Sequence, residues 1–406
     1  MERIVILGAG QAGASLAARL RAKGHAGPIA LVGGETAPPY QRPPLSKAYL
    51  LGEMPRERLL LRGDGFWAEQ RIALMTGVKA VAIDRAARRV MLADGRGLDY
   101  DGLALTLGAT PRTLPGSAGG GLDGVHMVRS LADIDAMREA IVPGGDALIV
   151  GGGYIGLEAA AVLRKRSMNV TLIEAAPRIL GRVASAETAA WFRTLHSGHG
   201  VTIKEGIGLT TLTGKAGQLR GAVLSDGTEM GCRLAVIGIG ILPEIALAEA
   251  AGLAIENGIA VDARGQTSDP AIFSAGDCAS FPWRGKRIRL ESVQNAIEQA
   301  EAAADAMLGK DVRYDPVPWF WSDQYDVKLQ IAGLNAGHDR VVLRPGPRAG
   351  TQSVWYFAGD RLIAVDAMND PRAYMVGKRC LEMGRSPDPA RLADPDIDLK
   401  TMLRPD

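Results

Sequence analysis

Two glycine-rich segments of this 406-residue chain have the spacing that lets a backbone approach a diphosphate. The first is Gly8-x-Gly10-x-x-Gly13, and Glu35 follows its last glycine by 22 residues. Glycine permits the tight turn, and the helix that begins there directs free N–H groups at phosphate oxygens. An acid about 20 residues later binds a ribose hydroxyl. A generic glycine-rich turn would not need that acid, so we predict a dinucleotide site here.

The second segment is Gly151-x-Gly153-x-x-Gly156, and Glu174 follows it by 18 residues. An acid at this position accepts both ribose hydroxyls and repels a 2′-phosphate, which favours NADH over NADPH. Arg178 and Arg182 lie nearby and could receive such a phosphate. We interpret them instead as pyrophosphate contacts or surface charges.

The elements that must position these glycines form the same pattern twice. Each motif follows a short apolar strand and precedes a helix and a second strand, as in a parallel sheet covered on both faces. The predicted elements are strand Ile4–Leu7, helix Ala14–Lys23 and strand Ile29–Val32, then strand Ala147–Val150, helix Leu157–Arg166 and strand Val170–Ile173.

Between and after these repeats the pattern changes. Residues 36–47 contain four prolines and are predicted to be a loop, and Val78–Leu105 predicts a small antiparallel excursion. Ser292–Leu308 predicts a long helix. A third unit is predicted after residue 318, with strands Val327–Ile331, Val341–Arg344, Val354–Phe357 and Leu362–Val365, a hairpin turn at Gly359-Asp360, and a helix over Ala373–Met383.

Composition excludes several classes of protein. The 47 Lys and Arg residues nearly balance 45 Asp and Glu residues, so we expect neither a nucleic-acid nor a membrane partner. Cys232, Cys278 and Cys380 are far apart and form no CxxC, which argues against a disulfide framework or a zinc site. The five histidines are scattered, and we expect no metal site. With no apolar leader before the first strand, we expect a cytoplasmic protein.

Two dinucleotide motifs in one chain require two dinucleotides. The pairing that makes redox sense is FAD with NAD(P)H, because a flavin accepts a hydride and can release electrons singly. We therefore predict an FAD-dependent oxidoreductase.

Further segments resemble those of a known superfamily, the disulfide reductases that bind two dinucleotides. Phe273-Ser274-Ala275-Gly276-Asp277 resembles their late FAD motif, and Thr106–Arg112 resembles their crossover segment. Within that superfamily the whole chain is most similar to the oxygenase-coupled, NADH-dependent ferredoxin reductases. The stretches that carry this resemblance are Arg42–Lys47, Glu291–Ala296 and Pro318–Gln324.

The resemblance implies a set of cofactor-binding residues. Those expected to bind FAD are Gly8, Gly10, Ala12, Gly13, Gly34, Glu35, Arg42, Lys47, Ala80, Arg112, Arg129, Asp277 and Val293. Those expected to bind NADH are Gly151, Gly153, Ile155, Gly156 and Glu174.

The resemblance also implies a catalytic pair, Lys47 and Glu158. Lys47 is expected to reach the flavin and to form an ion pair with Glu158, whereas two ordinary surface charges are the alternative. Val293 opens a helix whose N-terminal dipole would stabilise negative charge on a reduced flavin. The family often has an acid immediately before the position of Glu35, and here that residue is Gly34, so ribose recognition falls to Glu35 or to backbone groups.

The missing cysteines narrow the electron path. Disulfide reductases of this superfamily need a cysteine pair beside the flavin, and coenzyme A disulfide reductases need one in the segment that here reads Leu45-Ser46-Lys47. The resemblance therefore implies transfer from NADH through FAD to a [2Fe–2S] ferredoxin that supplies a monooxygenase or dioxygenase. Alternatives are a rubredoxin reductase, an NADH oxidase, or a redox-sensing flavoprotein of the apoptosis-inducing-factor type.

A ferredoxin would need a docking surface. In the resembling family the position of Trp321 lies near the flavin edge, although Trp319 and Trp321 could also be core aromatics. A basic cluster formed by Arg284, Lys286, Arg287 and Arg289, with Arg62 elsewhere, would steer an acidic partner. Solvated loop charge is the alternative.

The predicted architecture is α/β, with two Rossmann-like dinucleotide-binding domains of the glutathione-reductase type and a small α+β C-terminal domain. The FAD domain is expected over 1–110 and 242–318, the NADH domain over 111–241, and the C-terminal domain over 319–406.

Overall fold

The computed structural model describes residues 1–63 and 65–403. Its contacts divide the chain into two units. The first comprises Met1–Arg42, Arg56–Thr110 and Ile241–Pro316, and the second comprises Pro43–Pro55, Pro111–Gly240 and Val317–Asp406. The predicted division into FAD, NADH and C-terminal domains stays a prediction, and its last residues, 404–406, lie outside the described residues.

Helices of the described residues cover both repeats and the C-terminal unit. They are α1 (Gln11–Ala22), α2 (Ala48–Leu51), α3 (Phe66–Glu69), α4 (Leu131–Ala140), α5 (Tyr154–Lys165), α6 (Ala186–Gly198), α7 (Ala246–Ala250), α8 (Val293–Met307), α9 (Pro371–Glu382) and α10 (Pro389–Ala393). None of them is long and apolar enough to cross a membrane.

Strands of the first part of the chain, up to the second repeat, are β1 (Ile4–Leu7), β2 (Ile29–Val32), β3 (Ile72–Met75), β4 (Ala80–Asp84), β5 (Arg89–Leu92), β6 (Gly97–Asp99), β7 (Gly102–Leu105), β8 (Ala109–Pro111) and β9 (Val125–His126). Those of the second repeat are β10 (Asp146–Val150), β11 (Asn169–Glu174), β12 (Thr202–Glu205), β13 (Leu209–Lys215), β14 (Gln218–Leu224), β15 (Glu229–Gly231) and β16 (Leu234–Ile237). The remainder are β17 (Ile241–Pro243), β18 (Ile259–Ala260), β19 (Ile272–Ser274), β20 (Ala279–Trp283), β21 (Lys286–Ile288), β22 (Trp319–Gln324), β23 (Val327–Gly333), β24 (Arg340–Pro345), β25 (Gln352–Ala358) and β26 (Arg361–Met368).

Each unit contains one five-stranded parallel sheet, and the two sheets share a topology. The order is β19-β7-β1-β2-β3 in the first unit and β9-β16-β10-β11-β12 in the second. β1 and β10 therefore occupy the same central place, and each leads into a glycine motif. Ile4 and Ile6 pack into one core and Val5 and Leu7 into another, because a parallel sheet is covered on both faces.

The helices after the two glycine motifs begin three residues earlier than the sequence pattern predicts. α1 begins at Gln11 rather than Ala14, and α5 begins at Tyr154 rather than Leu157. The extended residue before each helix is the second glycine of the motif, Gly10 or Gly153. The third glycine thus lies inside the helix, where its low helix propensity had suggested a turn.

Two antiparallel regions surround the parallel sheets. β4, β5 and β6 form an antiparallel excursion in the first unit, as predicted, but the end of the predicted range, Gly102–Leu105 (β7), pairs in parallel with β1 instead. The C-terminal sheet has the order β22-β23-β26-β25-β24, and β25 and β26 form the hairpin at Gly359-Asp360. The sequence pattern missed β22 because its polar residues are buried. It also missed the start of α9, where the side chain of Asp370 accepts a hydrogen bond from the N–H of Ala373.

The proline-rich segment 36–47 is largely the predicted loop, with one regular exception. Pro43–Ser46 forms a 3₁₀ turn that leads directly into Lys47 and α2. The proline ring fixes the backbone angle φ at a value that suits a 3₁₀ turn.

Candidate functional site

The first glycine motif forms a cradle that only glycine allows. Gly8 has φ +108°, and a Cβ added there would lie 2.1 Å from the carbonyl oxygen of Thr106. A Cβ on Gly13 would lie 2.0 Å from the oxygen of Gly8, so α1 packs directly on the end of β1. At Gly10, by contrast, an added Cβ would meet no described heavy atom within 4 Å. The open backbone at Gly10 fits a pyrophosphate at the start of α1.

The second motif repeats this cradle closely. Gly151 has φ +111°, and an added Cβ would lie 2.3 Å from the oxygen of Gly238. A Cβ on Gly156 would lie 2.1 Å from the oxygen of Gly151. Around Gly153, an added Cβ would again find open space within 4 Å of the described atoms. Both motifs therefore have the backbone that a dinucleotide requires.

The acid after the first motif is held by side chains. Glu35 accepts hydrogen bonds from the Arg42 guanidinium and from the Tyr40 hydroxyl, each at 2.5 Å. Burial of the guanidinium works to lower the pKa of Arg42, but Tyr40 and Glu35 outweigh burial and raise it. Glu35 and Arg42 are thus brought together as one charged pair.

The acid after the second motif is held by the backbone instead. One oxygen of Glu174 accepts the N–H of Gly152 at 2.7 Å, and the other accepts the N–H of Ala176 at 2.8 Å. The carboxylate is therefore fixed at the motif itself. Arg178 donates to the carbonyl of Ser185, and Arg182 is exposed.

Other residues predicted to bind FAD lie around the first cradle. Gly276 has φ +83°, and a Cβ added there would lie only 3.1 Å from the Cβ of Ala12. Asp277 lies near enough to Arg42 to raise its pKa. Val293 is the first residue of α8, whose N-cap Ser292 accepts from the N–H of Asn295.

Five further residues are predicted to bind a cofactor, namely Gly34, Ala80, Arg112, Arg129 and Ile155. Gly34 packs against Lys79, where a Cβ would lie 2.9 Å from the lysine Cγ, and Ala80 opens β4. Arg112 and Arg129 belong to the second unit, where the N–H of Arg112 donates to the oxygen of Gly240. Ile155 is 46 % exposed in the first turn of α5. The roles of these residues stay predictions.

The predicted catalytic pair is joined in the structure. The Nζ of Lys47 lies 2.8 Å from an oxygen of Glu158, and the two side chains are 18 % and 3 % exposed. Both belong to the second unit, because Pro43–Pro55 packs with it. The 3₁₀ turn before Lys47 and the first turns of α5 bring the two charges together. The alternative of two ordinary surface charges does not fit this burial.

Two serines that the sequence interpretation passed over complete the surroundings of Glu158. Ser46 donates to one carboxylate oxygen at 2.5 Å, and Ser322 donates to the other at 2.6 Å. With Lys47 they supply three donors to a carboxylate that is nearly excluded from water. A signal was available, since Ser46 adjoins Lys47, and Ser322 and Gln324 alternate on one face of a strand.

The basic cluster is partly neutralised. Arg287 forms an ion pair with Glu256 at 3.2 Å, and Arg289 forms one with Glu291 at 2.6 Å. Arg284 and Lys286 are exposed at the turn between β20 and β21. Elsewhere Arg62 is exposed, and its guanidinium lies over the ring of Phe66. Of the four residues in the cluster, only Arg284 and Lys286 are exposed.

The two tryptophans of the C-terminal unit lie side by side. The rings of Trp319 and Trp321 are 5.7 Å apart, both are partly buried, and the Nζ of Lys378 lies 5.6 Å from the ring centre of Trp319. The role of Trp321 near a flavin stays a prediction.

The cysteines take no part in these sites. Cys232, Cys278 and Cys380 are free and buried. Burial raises the pKa of the Cys278 thiol, which is unfavourable for a nucleophile. Cys278 is therefore a small core residue.

Two glycine cradles at the ends of two parallel sheets, each with its acid, define an oxidoreductase that uses two dinucleotides. Comparison with known proteins agrees. The chain belongs to the pyridine nucleotide-disulphide oxidoreductase family, whose model matches residues 2–300, and a reductase C-terminal domain model matches residues 319–403. The family confirms the predicted fold class and the use of FAD and NAD(H).

Individual relatives span the whole chain. The chain is 42% identical over 402 residues to rhodocoxin reductase of Rhodococcus erythropolis, covering 98% of this chain and 94% of that protein. It is 40% identical over 406 residues to the ferredoxin–NAD(+) reductase component of an anthranilate 1,2-dioxygenase system from Burkholderia cepacia, covering 99% of each. The structure matches the covalent putidaredoxin reductase–putidaredoxin complex with a TM-score of 0.96, at 39% identity, covering 99% of this chain and 98% of that one.

Proposed function

We propose that this protein is an FAD-dependent ferredoxin reductase that takes electrons from NADH and delivers them to a [2Fe–2S] ferredoxin serving a cytochrome monooxygenase or a ring-hydroxylating dioxygenase. The observation that carries the proposal is similarity over the full length, including the C-terminal domain, to reductases named for such ferredoxins. When bound, FAD would supply the exchange between a two-electron hydride donor and a one-electron acceptor.

The residues of the chain have separate tasks in this proposal. The first cradle, Glu35 and Arg42 would hold FAD, and the second cradle and Glu174 would hold NADH. Lys47 and Glu158 would place a fixed positive charge beside the reacting ring. Positioning and electrostatics are sufficient for hydride transfer, because no protein acid or base is obligatory.

The role of Lys47 can be tested by Lys47→Met. We expect the rate at which NADH reduces the bound flavin to fall about tenfold, because the fixed charge is lost. Stopped-flow absorbance measures this rate. Lys23→Met, at an exposed lysine beyond the end of α1, is the control and should keep the original rate. An unchanged rate and flavin spectrum in Lys47→Met would remove Lys47 from the mechanism.

We propose that the ferredoxin is attracted electrostatically by the exposed pair Arg284 and Lys286. Replacing both with glutamine should raise the KM for ferredoxin and flatten its dependence on ionic strength. The same change at Arg287 is not equivalent, because that residue is paired with Glu256. Ferredoxin reduction that does not depend on salt would rule out steering.

The electron acceptor is identified by NADH-dependent cytochrome c reduction with and without a panel of [2Fe–2S] ferredoxins. We expect at least one ferredoxin to raise the rate strongly. A flat response across the panel, with rapid oxygen consumption, would favour an NADH oxidase. Stimulation by rubredoxin alone would favour a rubredoxin reductase.

We further propose a cytoplasmic location. Three buried thiols suit a reducing compartment, and the cytoplasm holds the NADH that the reaction requires. Fractionation of the native host, with an antibody against the protein, would test this.

A further inference from the structure

The carboxylate of Glu158 is the end of a longer hydrogen-bonded chain. Ser322, which donates to Glu158, lies 3.1 Å from the side-chain nitrogen of Gln324. The side-chain oxygen of Gln324 lies 2.7 Å from Nε2 of His196. The other ring nitrogen of His196 lies 3.5 Å from the hydroxyl of Tyr325. This relay joins α5, the C-terminal strand β22 and α6 within the second unit.

The relay lies in the interior. Ser322, Gln324 and His196 are all 0 % exposed, and Glu158 is 3 % exposed. Buried polar groups are costly unless hydrogen-bonded, and a chain of such bonds strengthens each member in a low dielectric. If these groups served only for packing, they would not need to be joined to Glu158 by a chain of hydrogen bonds.

Hydrogen-bonding capacity fixes the direction of every bond. A carboxylate only accepts, so the single hydroxyl hydrogen of Ser322 goes to Glu158. Ser322 must then accept from the amide nitrogen of Gln324, which leaves the amide oxygen facing His196. Nε2 of His196 therefore carries a hydrogen, and Nδ1 accepts from Tyr325. Every donor in the relay points toward Glu158.

The charge state of His196 is consistent with this direction. Burial lowers the pKa of His196 to about 4, so the ring is neutral at pH 7. A neutral ring has one donor and one acceptor nitrogen, which is what the relay requires.

We infer that Ser322, Gln324 and His196 are positioning residues, which fix the orientation of the Glu158 carboxylate and through it the Nζ of Lys47. The C-terminal domain would thus contribute to the reductase half of the reaction, in addition to any contact with a protein partner. The inference rests on the proposed roles of Lys47 and Glu158. The relay itself does not depend on which acceptor takes the electrons.

The direction of the relay can be tested on the unmutated holoprotein. Two-dimensional ¹⁵N–¹H spectra of its histidine rings at pH 7 should include a neutral ring, protonated at Nε2, whose signals are missing in His196→Gln. This ring should stay neutral down to about pH 5, because its pKa is near 4. If the ring whose signals are missing in His196→Gln were protonated at Nδ1, or charged at pH 7, the relay would be overturned whatever the activity of the protein.

The positioning role is tested by Ser322→Ala against Ser353→Ala. Ser353 is a suitable control because it is also 0 % exposed, lies in the same C-terminal sheet and makes one side-chain hydrogen bond, from Trp355. Loss of a hydrogen bond to a charged group should slow flavin reduction by NADH about tenfold in Ser322→Ala, with NADH affinity unchanged. Ser353→Ala should keep the original rate.

Equal rates in the two variants would reduce Ser322 to a structural role and overturn the inference. Failure of the proposed function has a different signature. A ferredoxin panel without any response, together with the expected histidine tautomer and a slowed Ser322→Ala variant, would retain the positioning role and reject only the acceptor.

Discussion

The two glycine motifs have nearly the same backbone, but two equivalent positions of the following helices make different contacts. In α1 these positions are Gln11 and Ser15, and the Gln11 amide donates to the Ser15 hydroxyl at 3.2 Å. In α5 the equivalent positions are Tyr154 and Glu158. The ring of Tyr154 lies 5.0 Å from that of Phe320, and Glu158 accepts from a serine of the C-terminal sheet.

In the function that we propose, this difference separates a helix that only binds a dinucleotide from one that also carries a catalytic residue. Gln11 and Ser15 of α1 bond to each other and neither of them is charged, and the helix packs on α8. The same positions of α5 connect the second cradle to Lys47 and to the C-terminal domain. The fold thus repeats a dinucleotide cradle, and Glu158 on the helix of the second cradle is the residue that pairs with Lys47.

The largest effects are expected where the two motifs are alike. Gly13→Ala and Gly156→Ala would each place a Cβ within 2.1 Å of a backbone oxygen. Because backbone must move to relieve this contact, we expect each to lose about 3 kcal/mol or more of stability or to be insoluble. Urea denaturation measures the loss. If either variant had the same urea midpoint as the original protein, Gly13 and Gly156 would not lie as close to the backbone oxygens as the structure indicates.

The next effect distinguishes the two helices. Glu158→Gln should destabilise the protein by about 3 kcal/mol, because Lys47 loses its charged partner in a largely buried site. Ser15→Ala, at the equivalent position of α1, should stay within about 0.5 kcal/mol of the original protein. The two changes can be compared by urea midpoints. Similar losses would mean that the two positions do not differ as the contacts indicate.

A smaller effect distinguishes the two acids. In Glu174→Gln the negative charge that repels a 2′-phosphate is lost, while the amide oxygen can still accept one backbone N–H. The ratio of kcat/KM for NADPH to that for NADH should rise about tenfold. Glu35→Gln, at the first motif, should leave the ratio unchanged while loosening FAD. If the ratio changed only in Glu35→Gln, the first motif would be the NADH site and the second the FAD site.

A pH-dependent effect concerns the surroundings of Tyr154. Its hydroxyl and one oxygen of Asp366 are buried and find no hydrogen-bond partner among the described residues. Burial raises the pKa of Asp366 to about 6, so the folded protein holds this proton more tightly than the unfolded chain. Stability relative to Asp366→Asn should therefore fall by about 2 kcal/mol as the pH rises from 4 to 7. A difference that is constant with pH would mean that Asp366 is not shifted.

The sequence was sufficient for the parts of the fold that repeat. Spacing and apolar periodicity predicted both cradles, both acids and the four strands β1, β2, β10 and β11 that flank the motifs, because these are local signals. It placed the helix starts three residues late, since Gly13 and Gly156 favour a turn locally but are required inside the helix by the close approach of a strand. Tertiary packing outweighed propensity at both positions.

The functional residues could be predicted only where a sequence motif or the family resemblance identified them. Lys47 and Glu158 are 111 residues apart in sequence, and their pairing came from resemblance rather than pattern. Ser322 and Gln324 alternate along the sequence, but no local signal linked them to His196 or Glu158, because hydrogen bonds between distant segments have no spacing rule. The burial of Ser322 and Gln324 was also unexpected, because they are polar residues on a strand that the pattern missed.

The central claim is that the first cradle binds FAD and the second binds NADH. Gly10→Ala and Gly153→Ala test it most directly, because each adds a methyl group only to the open space of one cradle. We predict that purified Gly10→Ala lacks flavin. Gly153→Ala should keep one flavin per chain and bind NADH about tenfold more weakly. Flavin lost from Gly153→Ala and retained by Gly10→Ala would contradict the assignment.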